Sequence, residues 1–168
     1  MKTPDTQAAL TWWFTGLPGA GKTTLATAWA EQLRTQQRPV VLLDGDELRR
    51  GLTNDLGFSD ADRLENMRRV AEVARLFNDA GVDALVALVS PTLQGRATAR
   101  TLIGAHRFIE VHVATPLAVC QQRDPKGLYA RAGKNEQFGL TGVQSAYEPP
   151  TAAELVIDTS QSSLQTAL

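Results

Sequence analysis

Short apolar runs alternate along this chain with longer stretches in which apolar residues recur at helical spacing. Leu10 to Thr15 is an apolar and aromatic run ending in a glycine-rich turn, and Lys22 to Gln36 then carries Leu25, Trp29 and Leu33 along one side. That order predicts strand, loop, helix. Val40 to Leu43 reads as a second buried strand, stopped by Asp44-Gly45-Asp46, and Asp83 to Val89, Phe108 to Val113 and Leu155 to Ile157 read as three more. The clearest helix begins after Ser59, a predicted N-cap with Asp62 three residues on. It aligns Leu64, Met67, Val70, Ala74 and Phe77 before Gly81 ends it. Apolar strands alternating with helices predict a three-layer α/β domain, a five-stranded parallel sheet with helices on both faces and ligands at the carboxyl ends of the strands.

The glycine-rich turn is Gly16-Leu17-Pro18-Gly19-Ala20-Gly21-Lys22-Thr23, followed by Thr24. It fits G-x-x-x-x-G-K-[ST], and its place between a strand and a helix sets aside a chance glycine turn. The expected fold is therefore that of the P-loop NTPases. Glycines let the backbone turn its N–H groups inward as an anion nest at a helix N-terminus. Lys22 supplies a cation for the β- and γ-phosphates of ATP, and the Thr23 hydroxyl is a ligand for Mg²⁺. The second strand delivers Asp44 and Asp46 to the same sheet edge, where one carboxylate can hold Mg²⁺ and the other can orient and deprotonate an attacking hydroxyl. A turn aspartate and a helix N-cap, the latter for Asp46 ahead of Glu47-Leu48-Arg49, are the structural alternatives.

Arginines crowd the next segment. Arg68 and Arg69 read as a solvated helix face, whereas Arg49 and Arg63 lie near strand-end loops where a guanidinium can grip phosphate or sulfate. An anionic acceptor follows. Any such recognition is local, because 17 Lys and Arg nearly balance 18 Asp and Glu, leaving no basic field for a nucleic acid or an acidic membrane surface. No apolar run suffices to span a bilayer and Met1 to Ala9 has no signal-peptide layout, so the expected location is cytoplasmic. Cys120 alone excludes an internal disulfide and reads as a small apolar residue on a helix; His106 and His112 have no metal-ligand spacing. Trp12 and Trp13 read as packing residues. Asp124 to Pro150 breaks the alternation, being rich in glycine, lysine and arginine, and reads as a mobile lid or an ordinary surface loop. A single domain over residues 1–168 is expected, with a core at 10–159, a lid at 124–150, and loosely ordered arms at Met1 to Ala9 and Thr159 to Leu168.

Leu43-Asp-Gly-Asp-Glu-Leu-Arg49, Asp55-Leu-Gly-Phe-Ser-Asp60 and Asp62-Arg-Leu-Glu-Asn66-Met-Arg-Arg69 together resemble adenylylsulfate kinase. Ser90-Pro91, Arg123-Asp-Pro-Lys-Gly-Leu-Tyr129, Thr141-Gly142, Ala146-Tyr-Glu148 and Glu154-Leu-Val-Ile-Asp158 continue the likeness in order, so that it runs from about Leu10 to Thr159. The resemblance implies phosphorylation of the ribose 3′-hydroxyl of adenosine 5′-phosphosulfate by MgATP, in sulfate assimilation, by a homodimer of a family often fused to ATP sulfurylase. It implies that Arg49, Arg63 and Asn66 hold the phosphosulfate or ribose, with Ser90 beside them, that Phe58 stacks on the adenine, and that Asp46 is the base or orienter. It also implies that the lid side chains Arg123 and Lys126 approach the nucleotides. For Phe58 the alternative is core packing.

The chain departs from the family after Ser90-Pro91, where Thr92 and Leu93 replace an aromatic residue and an arginine, although Arg96 and Arg100 match. Leu140 stands where a phenylalanine usually covers the other face of the adenine, and Glu47 where asparagine is common. These departures keep open a sister kinase with another small nucleotide-linked anionic acceptor. The other alternative is a nucleotide-binding module without catalysis. No Asn-Lys-x-Asp signature of a guanine nucleotide switch is present, and no catalytic part is missing.

Overall fold

The computed structural model describes residues 8–134 and 138–161. Its elements are β1 (Thr11–Thr15), α1 (Lys22–Thr35), β2 (Val40–Asp44), α2 (Gly45–Leu48), α3 (Asp60–Asp79), β3 (Asp83–Ala87), α4 (Leu93–Ile103), β4 (Phe108–Val113), α5 (Leu117–Arg123), α6 (Leu128–Gly133) and β5 (Leu155–Ile157). The five strands form one sheet in the order β2-β3-β1-β4-β5, and every pairing is parallel.

Strand alternation divides the core. In β1, Trp13 packs with Met67, Val70, Ala74 and Ile103 of α3 and α4, while Phe14 packs with Leu25, Ala30 and Cys120 on the opposite face. Helices thus cover both faces, which is why β3 is buried at every position. Buried polar groups are tied in as well: Thr11 Oγ1 donates to Asn78 Oδ1 at 2.7 Å, and Asp83 accepts from Leu10 N at 2.7 Å.

The chain leaves β1 toward β2 on one side and leaves β3 toward β4 on the other. Those opposed connections part beyond the carboxyl ends of β1 and β3, the place where open α/β sheets hold ligands. Three expectations change here. β5 is an edge strand, so Val156 is 66 % exposed. Of the N-terminal arm, residues 1–7 lie outside the described residues, yet Ala9 is buried and Ala8 O accepts from Arg38. Of the C-terminal arm, 162–168 lie outside them too, whereas Thr159 is pinned by several hydrogen bonds. Residues 135–137 of the predicted lid also lie outside them; the segment contains α6, anchored by buried Tyr129 and Ala132.

Candidate active site

A cavity of about 790 Å³ opens at the carboxyl edge of the sheet. Its first wall is the turn after β1. Gly16 adopts φ 155°, and a Cβ there would stand 2.5 Å from Val113 O, so only glycine lets β1 run into the turn so close to β4. Gly21 is the N-cap of α1 and contributes no side-chain cap, so the first-turn amides of α1 have no side-chain partner among the described residues. Tyr129 Oη donates to Pro18 O at 2.8 Å and buttresses the turn from α6. Thr159 Oγ1 donates to Ala20 O at 2.8 Å, and Arg123 Nη1 donates to Thr159 Oγ1 at 2.6 Å, so the stretch just after β5 ties the turn to the end of α5.

Lys22 is buried, with Nζ donating to Gly16 O at 2.9 Å and Leu17 O at 2.8 Å. Burial lowers its ammonium to about 8, with Lys126 adding to that effect and Cys120 and Asp44 opposing it. Thr23 Oγ1 donates to Asp44 Oδ2 at 2.6 Å. The other Asp44 oxygen accepts from Asp46 N at 3.0 Å and Glu47 N at 3.4 Å. The N-cap of α2 is therefore Asp44, not Asp46, whose backbone already lies in the first turn. Asp46 is left with an exposed carboxylate, and Lys126 Nζ from the loop between α5 and α6 is ion-paired with it.

Phe58, Arg49, Arg63 and Asn66 line the second wall. Phe58 is 53 % exposed, which excludes the core-packing alternative, and the Arg49 guanidinium stands 4.4 Å over its ring. Arg63 uses three of its five N–H donors on protein carbonyls and a hydroxyl: Nε on Phe58 O at 3.0 Å, Nη1 on Thr141 Oγ1 at 2.9 Å, and Nη2 on Gly139 O. It thereby fastens the loop carrying Phe58 to the segment carrying Leu140, itself 4 % exposed and part of the cavity lining. Burial lowers the guanidinium of Arg49, and burial together with Arg49 lowers that of Arg63. Two cations that repel one another beside the same Phe58 ring favour an anion that neutralises both.

Ser90 also lines the cavity, but its Oγ accepts from Trp13 Nε1 at 2.9 Å inside the core. Arg69 departs from the solvated helix face expected of it. It clamps Asp55 at 2.7 Å and Glu65 at 2.8 Å, bracing the loop that leads to Phe58. Arg68 does stay on the surface, paired with Glu65 at 2.7 Å. Thr159, Tyr129 and Thr141 had no site role from the sequence, because single hydroxyl residues carry no periodicity; Tyr129 and Thr141 stood only as members of the motifs behind the family resemblance.

Comparison with known proteins gives concordant results. The family model for adenylylsulphate kinase matches residues 8–158. The chain is 56 % identical over 154 residues to an adenylyl-sulfate kinase of Shewanella denitrificans, covering 92 % of this chain and 75 % of that one. It is 57 % identical over 152 residues to one of Shewanella amazonensis, covering 90 % and 77 %. A solved APS kinase of Mycobacterium tuberculosis, in complex with AMPPNP and APS, superposes with a TM-score of 0.90 at 43 % identity, covering 95 % of this chain and 94 % of that one.

Proposed function

The chain belongs to the adenylylsulphate kinase family, and from that premise we infer that it transfers the γ-phosphoryl group of ATP to the ribose 3′-hydroxyl of adenosine 5′-phosphosulfate. The products are 3′-phosphoadenosine 5′-phosphosulfate and ADP. The observation that carries this reading is a single cavity with a phosphate turn on one wall, two cationic arginines around Phe58 on the other, and Asp46 among its lining residues.

In our reading Gly16 to Thr24 receive the triphosphate of ATP through backbone amides and Lys22, with Arg123 approaching the nucleotide from the lid. Thr23 and Asp44 would hold Mg²⁺. Their oxygens fit it: one hydroxyl and one carboxylate, joined at 2.6 Å, suit a hard cation that keeps several waters and binds phosphate oxygens besides. When bound, the ion neutralises charge on the β- and γ-phosphates. Arg49, Arg63 and Asn66 take the phosphosulfate and ribose, Phe58 and Leu140 the adenine, and Ser90 the floor beside them.

Asp46 orients the 3′-hydroxyl and accepts its proton as the oxygen bonds to the γ-phosphorus and the bond to the β–γ bridging oxygen breaks. Lys126, paired with Asp46 before substrate arrives, yields that carboxylate to the hydroxyl and meets phosphate instead. We also read residues 1–168 as one kinase domain whose 124–150 segment acts as a lid, working as a cytoplasmic homodimer. The family resemblance supports these last points, and sedimentation at twice 18.2 kDa is the expected result.

An ADP-release assay tests the whole reading. Adenosine 5′-phosphosulfate is expected to turn over far faster than any of a panel of nucleoside mono- and diphosphates. Faster turnover of another acceptor overturns the assignment.

A further inference from the structure

Arg96 is a charged residue buried outside the cavity, 3 % exposed, and the mechanism above does not use it. Its guanidinium makes contacts in three directions. Nε is ion-paired with Glu110 of β4 at 2.7 Å, an electrostatic contact rather than an aligned hydrogen bond. Nη1 donates to Ser90 O at 2.6 Å, and Nη2 donates to Glu148 O at 2.6 Å.

Those two carbonyls belong to different parts of the molecule. Ser90 follows β3 and lines the cavity, and it holds φ 48°, a left-handed conformation that a residue with a Cβ keeps only when its surroundings impose it. Glu148 closes the segment that returns from Leu140 and Thr141, which line the same cavity. The two strips are sewn together further: Glu148 N donates to Pro91 O at 2.8 Å, Leu93 N donates to Glu148 Oε2 at 2.6 Å, and Tyr147 Oη meets Thr15 Oγ1 at 3.0 Å. Thr15 Oγ1 in turn lies 2.7 Å from Val89 O.

We propose that Arg96 is a positioning residue for the acceptor, its guanidinium fixing the Ser90 turn and the returning Tyr147–Glu148 strip at one spacing while touching no substrate. The proposal rests on the kinase reading above and deepens it. A planar fork of donors can hold two carbonyls at a set separation, whereas an ammonium cannot span both in the same geometry. Glu110 keeps the buried charge compensated, so the cluster's strength goes into geometry. A lapse in that geometry shifts the floor beneath the acceptor, while the phosphate turn, joined to that floor through Gly16 N and Val89 O at 3.4 Å, keeps its bonds from Tyr129, Thr115 and Thr159.

The test compares Arg96→Lys with the wild type, measuring KM for adenosine 5′-phosphosulfate, KM for ATP, kcat and melting temperature. Lysine keeps the pairing with Glu110 but loses the two-carbonyl span. The expected result is an acceptor KM raised about tenfold with the ATP KM within about twofold of wild type. Because the lysine variant is at risk of folding poorly, Glu148→Ala and Glu148→Gln form a second pair at an exposed position: they keep the carbonyl held by Arg96 and alter the side-chain bond to Leu93 N, testing whether the spacing of the same strip reaches the acceptor. The alanine variant is expected to raise the acceptor KM about three- to fivefold, and the glutamine variant, which can still accept from Leu93 N, to recover most of that. An unchanged acceptor KM in folded variants, or equal rises in both KM values, overturns the proposal. A wild type that turns over ATP with a different acceptor only refutes the functional reading, and the inference with it.

Discussion

On the donor side of the cavity, Gly16 to Thr24 forms one unbroken turn whose shape is set by its own glycines and held by single bonds from Tyr129 and Thr159. On the acceptor side, Phe58, Ser90 and Leu140 come from widely separated segments that meet because arginines bridge their backbones. The donor wall is local and made of backbone; the acceptor wall is long-range and made of side chains. Damage to one should therefore read out as a selective defect, and the sharpest tests are those that separate the two substrates.

The largest effect is expected where the walls meet. Asp46→Ala removes the proposed proton acceptor and should lower turnover by about 10²–10⁴-fold. ATP affinity, measured calorimetrically, should stay within a few-fold, since Asp44 and Thr23 keep their bond without Asp46. Turnover near the wild-type rate would remove Asp46 from its role. Next in size comes Arg63→Ala, which cuts the fastening between Phe58 and Gly139 and removes one of two cations. Acceptor KM should rise about 10–100-fold with little change for ATP. A matching loss of ATP affinity would erase the distinction between the walls.

The same division explains what could be read from the sequence. A contiguous motif announces the donor wall, because the spacing of glycine, lysine and threonine is itself the geometry. Strands, their parallel arrangement and the Ser59 cap of α3 follow from local pattern too. Local pattern offered the cap of α2 to Asp46, and only the backbone path decides that Asp44 takes it. Arg69 and Arg96 resemble surface residues by composition, and their partners Asp55, Glu110 and Glu148 lie far along the chain. Thr159, at the expected edge of a loose arm, is pinned because β5 brings it against Ala20 and Thr115. In each case the missing knowledge was a tertiary contact.

A stability test probes the acceptor side from below. At Gly95, in the first turn of α4, a Cβ would lie 2.0 Å from Met67 Cε and 2.8 Å from its Sδ. Met67 is fully buried and lines the cavity, so its side chain has little room to yield. Gly95→Ala should cost about 1–2 kcal/mol by chemical denaturation, overpacking outweighing the gain in helix propensity. In a Met67→Ala background the same change should cost nothing further, and an undiminished cost there would mean that some other contact is responsible.

The smallest effect uses protons to tell the walls apart. Lys22 has an ammonium lowered to about 8 by burial, against an ordinary value of 10.5. A bound triphosphate favours the charged amine, so the Lys22 pKa in the complex lies above its value in the free protein. Below about pH 7 Lys22 is charged in both states and ATP affinity is flat. Above about 8 the free protein has lost that proton, so binding must take one up, and affinity falls by at most about tenfold per pH unit. Calorimetry in buffers of different ionisation enthalpy should register the uptake near pH 8.5 and little of it near pH 7. On the acceptor side, Arg49 and Arg63 keep their charge over the same range even though burial lowers them, because guanidinium does not titrate there. Acceptor affinity should then stay level while ATP affinity declines, and a parallel decline of both would mean that the proton is lost from a group the two walls share.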